Sequence, residues 1–106
     1  MINQDRIKSL LLELVQIDSH SRKEREVAQC IKSYCEEMGA QVEIDDAGEK
    51  VAGNTGNVIA RFAGTIHDAE PIMMSAHMDT VVPGEGVKPI IEGDIIRTDE
   101  DRKSVV

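Results

Sequence analysis

The sequence predicts an α/β fold: a mixed sheet with helices packed on its face or faces. Three observations lead there. The first forty residues carry two stretches with apolar side chains at helical spacing. The period then shifts to the alternation of strands around Gln41–Asp45. Further on, Ile72 to Ala76 is apolar almost without a break.

The first helix is expected from about Gln4 to Ile17. Ile7, Leu10, Leu11, Leu14 and Val15 form its stripe, and Asp5 suits the positive N-terminal end. Asp18-Ser19-His20-Ser21 breaks the pattern. Ser21-Arg22-Lys23-Glu24 then fits a capping box, with Ser21 as N-cap and Glu24 reaching back. Val27, Ala28, Ile31, Tyr34, Cys35 and Met38 continue one face of a second helix. Gly39 is placed to end it in a left-handed conformation. The first helix should pack beside the second, or on the same sheet face.

Gln41-Val42-Glu43-Ile44-Asp45 reads as a half-exposed strand, and Asn57 to Phe62 as its successor. Between them, Asp46 to Gly56 holds three glycines and reads as a turn-rich connection. Pro71 opens a third strand, Ile72–Ala76, whose unbroken apolar run suits a central strand covered on both faces. A loop follows through Pro83-Gly84-Glu85-Gly86, and Lys88–Arg97 predicts two short strands turning at Gly93-Asp94. With so few neighbours in the sequence, the 72–76 strand lacks partners.

The 106 residues suffice for one small domain, 1–106, without linker, repeat or low-complexity tract. A hydrophobic content of 41% excludes a disordered composition, while aromatics are only 2%, namely Tyr34 and Phe62. A core of aliphatics and five methionines is a soft one, or one completed by further chain. The net charge of −8 argues against nucleic acid and against an anionic membrane surface. No stretch has the apolar length of a membrane span, and the polar start Met1-Ile2-Asn3-Gln4-Asp5 is unlike a signal peptide. Cys30 and Cys35 lie five apart and do not share a helix face, so two reduced thiols in a cytoplasmic protein are expected.

The chemistry centres on Ser75-Ala76-His77-Met78-Asp79-Thr80-Val81-Val82. In extended chain, His77 and Asp79 point the same way. Imidazole is a ligand for zinc and related metals, and such a histidine usually passes its other N–H to a carboxylate. Spacing alone slightly favours a strand-end histidine satisfied by hydrogen bonds beside a turn aspartate, because His-x-Asp is short and common by chance. Position favours chemistry, because ligands of open α/β sheets bind beyond the carboxyl ends of strands. His20 and His67 read as solvated loop histidines, and Glu36-Glu37 and Asp45-Asp46 as solvated faces and turns. Asp99-Glu100-Asp101 could offer carboxylates to a metal, though a charged terminal segment accounts for it on composition. Gly53-Asn54-Thr55-Gly56-Asn57 opens no helix and so fails as a phosphate loop. No serine sits in a nucleophile elbow.

Gly56-Asn57-Val58-Ile59-Ala60, followed by Ser75 through Gly84, resembles the M20 metallopeptidases, and within them the tripeptidase T-like aminopeptidases. The opening helices and the hairpin match in order. The resemblance covers nearly the whole chain, but only the N-terminal portion of such an enzyme. It implies part of a zinc-peptidase-like three-layer catalytic domain, without the inserted dimerisation domain. By it, His77 would ligate one of two divalent ions, zinc foremost, and Asp79 would orient His77. Asp101, with Lys103, would be what remains of a Gly-x-Asp-Asp-Lys motif that supplies a bridging aspartate. There Arg102 stands where the family has a carboxylate, and a cation opposes metal binding. The family's glutamate base, further carboxylates and second metal histidine have no counterpart here.

The resemblance thus implies a metal-dependent aminopeptidase acting on short peptides, with this chain inactive alone. Two other readings stand beside it. One is a non-catalytic binding or assembly module on a peptidase scaffold. The other is an M20 deacylase or carboxypeptidase.

Overall fold

Asn3 starts the first helix: its side-chain Oδ1 accepts from the Arg6 N–H at 3.0 Å. The structure is a computed structural model that describes residues 2–99. Helix α1 runs Gln4–Val15, two residues shorter than expected. None of its residues is buried, and Ile7 of the predicted stripe is 57% exposed. A polar contact ties α1 to the next helix. Tyr34 donates its hydroxyl to Glu13 at 2.5 Å, and the Cys30 thiol lies 3.6 Å from the other Glu13 oxygen. The bond to Glu13 raises the Tyr34 phenol above its ordinary range. Burial, then the Glu13 charge, raises the Cys30 thiol.

Helix α2 runs Arg25–Glu37, so it starts later than the expected capping box. The reason is that Ser21 spends its hydroxyl elsewhere, on Asp79. Glu24 does reach back, but to the Arg22 N–H at 2.7 Å, with Arg22 at a φ of 72°. Val27 and Ala28 are buried where α2 lies on the first hairpin. Gly39 closes the helix as predicted, at a φ of 91°, and the Ala40 N–H donates to the Cys35 carbonyl at 3.0 Å. Both cysteines are free thiols.

Strands β1 (Gln41–Ile44) and β2 (Val58–Arg61) pair antiparallel, with Gln41 opposite Arg61 and Ile44 opposite Val58. The expected alternation appears in the half-buried Val42 and Ile44. The connection contains a short helix, α3 (Ala47–Lys50), that the glycine-rich composition concealed. Asp45 organises it. Its Oδ1 accepts from the N–H groups of Ala47 at 3.0 Å and Asn57 at 2.7 Å, and Oδ2 accepts from Asn57 Nδ2 at 2.9 Å. These bonds, the Asn57 side chain first, hold its carboxyl below the usual range. A Cβ on Gly56 would overlap the Asp45 carbonyl, so the loop closes there only on glycine.

Strands β3 (Pro89–Glu92) and β4 (Ile95–Thr98) form the second predicted hairpin, turning at Gly93 with a φ of 59°. The expected central strand is absent. Ile72, Met73 and Met74 are 89%, 90% and 92% exposed, and 72–76 is irregular chain. The physical reason is backbone pairing: a strand needs neighbours on its edges. Instead a groove of about 820 Å³ separates Pro71–Ala76 from β2. The α/β class holds, with helices packed on sheet; among the described residues its strands form two separate antiparallel pairs. Among the described residues, Val27, Ala28 and Val87 are the buried hydrophobic side chains. The chain exposes 8651 Å², against about 5,900 Å² for a compact monomer of its mass.

Candidate metal-ligand site

The site is built where the segment after α1 meets the segment carrying His77. The Thr80 N–H donates to the Ser19 carbonyl at 2.8 Å, and His20 and Thr80 run side by side as a parallel bridge. Ser19 is buried beneath this pairing. The Gly86 N–H donates to Asp18 Oδ1 at 2.8 Å. His20 Nδ1 lies 3.3 Å from Glu85 Oε1. Residues 18–21 thus clasp residues 79–86 at several points. Val82–Pro83 is a cis peptide, and the turn closes on Gly84, where a Cβ would meet the Val81 carbonyl at 2.6 Å.

This corrects the expectation for His20. It is not a solvated loop residue: its side chain is 17% exposed, and its Nε2 is buried without a hydrogen-bond partner, as is Thr80 Oγ1. His67, by contrast, is exposed in a loop, as expected.

His77 and Asp79 come together as the sequence predicts. His77 Nδ1 lies 3.7 Å from Asp79 Oδ1, with the imidazole 96% exposed. The second Asp79 oxygen accepts from the Ser21 hydroxyl at 2.5 Å. With Nδ1 turned to the carboxylate, Nε2 is the nitrogen left to face a ligand. Both residues line one groove of about 330 Å³ with Glu24, Val51, Thr55 and Asn57. The 45–57 connection supplies a wall of this groove, which gives the Asp45–Asn57 bonds a role in shaping it.

Asp101 lies outside the described residues. Among the described residues, no three His, Cys, Asp or Glu side chains gather as a metal cluster. The donor set on the page is one imidazole with its carboxylate, which fits one ligand position and not a closed site. Sequence reasoning assigned Ser21 to a helix cap and missed its bond to Asp79. The two residues lie 58 positions apart, so no local pattern signals the contact.

The paired helices and the hairpins match the N-terminal portion of solved peptidase catalytic domains. The chain superimposes on aminopeptidase PepT from Bacillus cereus with a TM-score of 0.87 and 36% identity, covering 92% of this chain and 26% of that one. A tripeptidase from Staphylococcus aureus gives a TM-score of 0.85 at 35% identity, covering 93% and 26%. Among curated sequences, the uncharacterized protein YqjE of Bacillus subtilis is 39% identical over 99 residues, which is 93% of this chain and 26% of that protein. A Pyrococcus abyssi protein provisionally named a LysW-lysine/LysW-ornithine hydrolase is 38% identical over 96 residues, 90% of this chain and 24% of that one. The chain spans about a quarter of the length of these relatives. No family model matches it. No helix among the described residues is long and apolar enough to cross a membrane.

Proposed function

We propose that this chain contributes the first metal ligand to a metal-dependent aminopeptidase acting on short peptides. The observation that carries this reading is the His77–Asp79 pair, set in a groove at the edge of a PepT-like fold. His77 would hold one of two divalent ions, with zinc the natural choice for an imidazole ligand. Asp79 would fix the ring and raise its basicity from behind. Asp101 is carried as a further ligand by resemblance alone. Bound metals in such sites lower the pKa of a water and polarise a carbonyl. This chain's own residues orient the imidazole and wall the groove with Val51 and Thr55.

The domain assignment, 1–106 as the N-terminal part of such a catalytic domain, belongs to the same proposal. So does a cytoplasmic location. The short peptide is the proposed substrate. No membrane or nucleic-acid partner is proposed, given the acidic charge.

A chimera tests the reading. Residues 2–99 would replace the matching quarter of the Bacillus cereus aminopeptidase. Hydrolysis of a tripeptide that is abolished by a chelator and restored by zinc, cobalt or manganese supports it. An inactive but folded and metal-loaded chimera counts against it. The 38% identity to the Pyrococcus hydrolase supports a second reading, cleavage of another amide by the same metal chemistry. The same chimera tried on an Nε- or Nα-acyl lysine separates the two.

A further inference from the structure

Each oxygen of Asp79 is turned to a different partner. Oδ2 accepts from Ser21 Oγ at 2.5 Å, and Oδ1 lies 3.7 Å from His77 Nδ1. Both ends of the Ser21–Asp79 contact are anchored by the same clasp. Ser19 is buried and takes the Thr80 N–H, while His20 bridges Thr80. Ser21 and Asp79 are the residues that flank this pairing. A carboxylate on a single Cβ–Cγ bond swings freely, whereas a charge-assisted bond to one oxygen aims the other.

The Ser21 hydroxyl has no competing structural duty. The N-cap of α2 is Glu24, and no side chain caps that helix end. Nor does Glu24 supply the same support, because its Oε1 takes the Arg22 N–H. We infer that Ser21 is a positioning residue. Its hydroxyl fixes Asp79 with Oδ1 facing His77 Nδ1, so that the carboxylate favours a proton on Nδ1 and leaves Nε2 to bind a divalent cation. The role assigned to Nε2 rests on the proposed function, but the contact itself needs no metal.

The test is the tautomer of neutral His77, read from imidazole ¹⁵N shifts of the 106-residue chain without metal. A free neutral imidazole favours the Nε2–H form, and a fixed carboxylate at Nδ1 reverses this. The wild-type chain should hold His77 mainly as Nδ1–H. Ser21→Ala should shift the ratio at least about threefold toward Nε2–H, the effect of one modest hydrogen bond. Ser21→Thr keeps the hydroxyl and should restore the wild-type ratio. Ser21→Cys, a near-isosteric weak donor, should fall between and serves if the alanine variant fails to fold. A ratio unchanged by Ser21→Ala or Ser21→Cys, or lost equally in Ser21→Thr, overturns the inference. Because the readout uses neither metal nor peptide, its failure removes the Ser21 role and leaves the peptidase reading standing. A failed chimera with an intact tautomer response does the reverse.

Discussion

Tyr34 on α2 donates its hydroxyl to Glu13 on α1 at 2.5 Å, and this contact, joined by Cys30, links the two helices. It reinforces an apolar stripe that is only half-buried, since Leu10, Leu11, Leu14 and Val15 are partly covered and no α1 residue is fully buried. The pH dependence follows from it. Phenol and thiol are both raised in the folded chain, so the fold binds their protons more tightly than the unfolded chain does. Their contribution is complete below the ordinary thiol range and is lost as pH climbs through the raised values. Thermal unfolding followed by circular dichroism should therefore show a Tm that drops from about pH 9 upward. Glu13→Gln removes the charge and should flatten that drop. An equally steep alkaline loss in the variant would contradict the assignment.

Gly84 makes a second prediction. It is buried, and an added Cβ would meet the Val81 carbonyl at 2.6 Å, which is backbone and cannot swing aside. Gly84→Ala should cost about 1–3 kcal/mol, the usual range for overpacking. The strain falls in the loop clasped by residues 18–21, so His77 and Asp79 resonances should shift as well. Denaturant unfolding with NMR on the same sample reads both effects. A neutral substitution would mean that the turn is looser than the structure shows.

The exposed run Ile72-Met73-Met74 sets a third expectation. Apolar side chains about 90% exposed, beside an edge of β2 that is unpaired among the described residues, invite pairing with another chain. Sedimentation should reveal concentration-dependent association. Met73→Lys should reduce it without lowering helix content, because Met73 touches little of the fold. Association that is unchanged in this variant would place the sticky surface elsewhere, for instance on the open face of α1.

Much of this was legible in the sequence, and the rest failed for identifiable reasons. Gly39 and Gly93 announced their turns because a positive φ leaves few alternatives to glycine. The alternation at Gln41–Ile44 gave β1 its exposed and covered faces. The approach of His77 to Asp79 was legible because residues two apart in extended chain share a side. Helix α2 starts later than the capping box predicts because Ser21 satisfies an aspartate 58 positions away instead of its own helix. His20 departs from a solvated loop residue for the same reason, since the partner that covers it, the 80–85 loop, is remote in sequence. Ile72–Ala76 has the composition of a central strand, but composition cannot supply the neighbouring edges a strand requires.

The central claim is that His77 is a metal ligand held by Asp79. The most direct measurement is the zinc content of the aminopeptidase chimera, taken with and without His77→Ala and Asp79→Asn. The account predicts that His77→Ala loses one metal per chain along with tripeptide hydrolysis. It predicts that Asp79→Asn weakens metal affinity by about 10–100-fold, as expected for loss of an orienting carboxylate. Full metal occupancy and undiminished turnover in His77→Ala would contradict it.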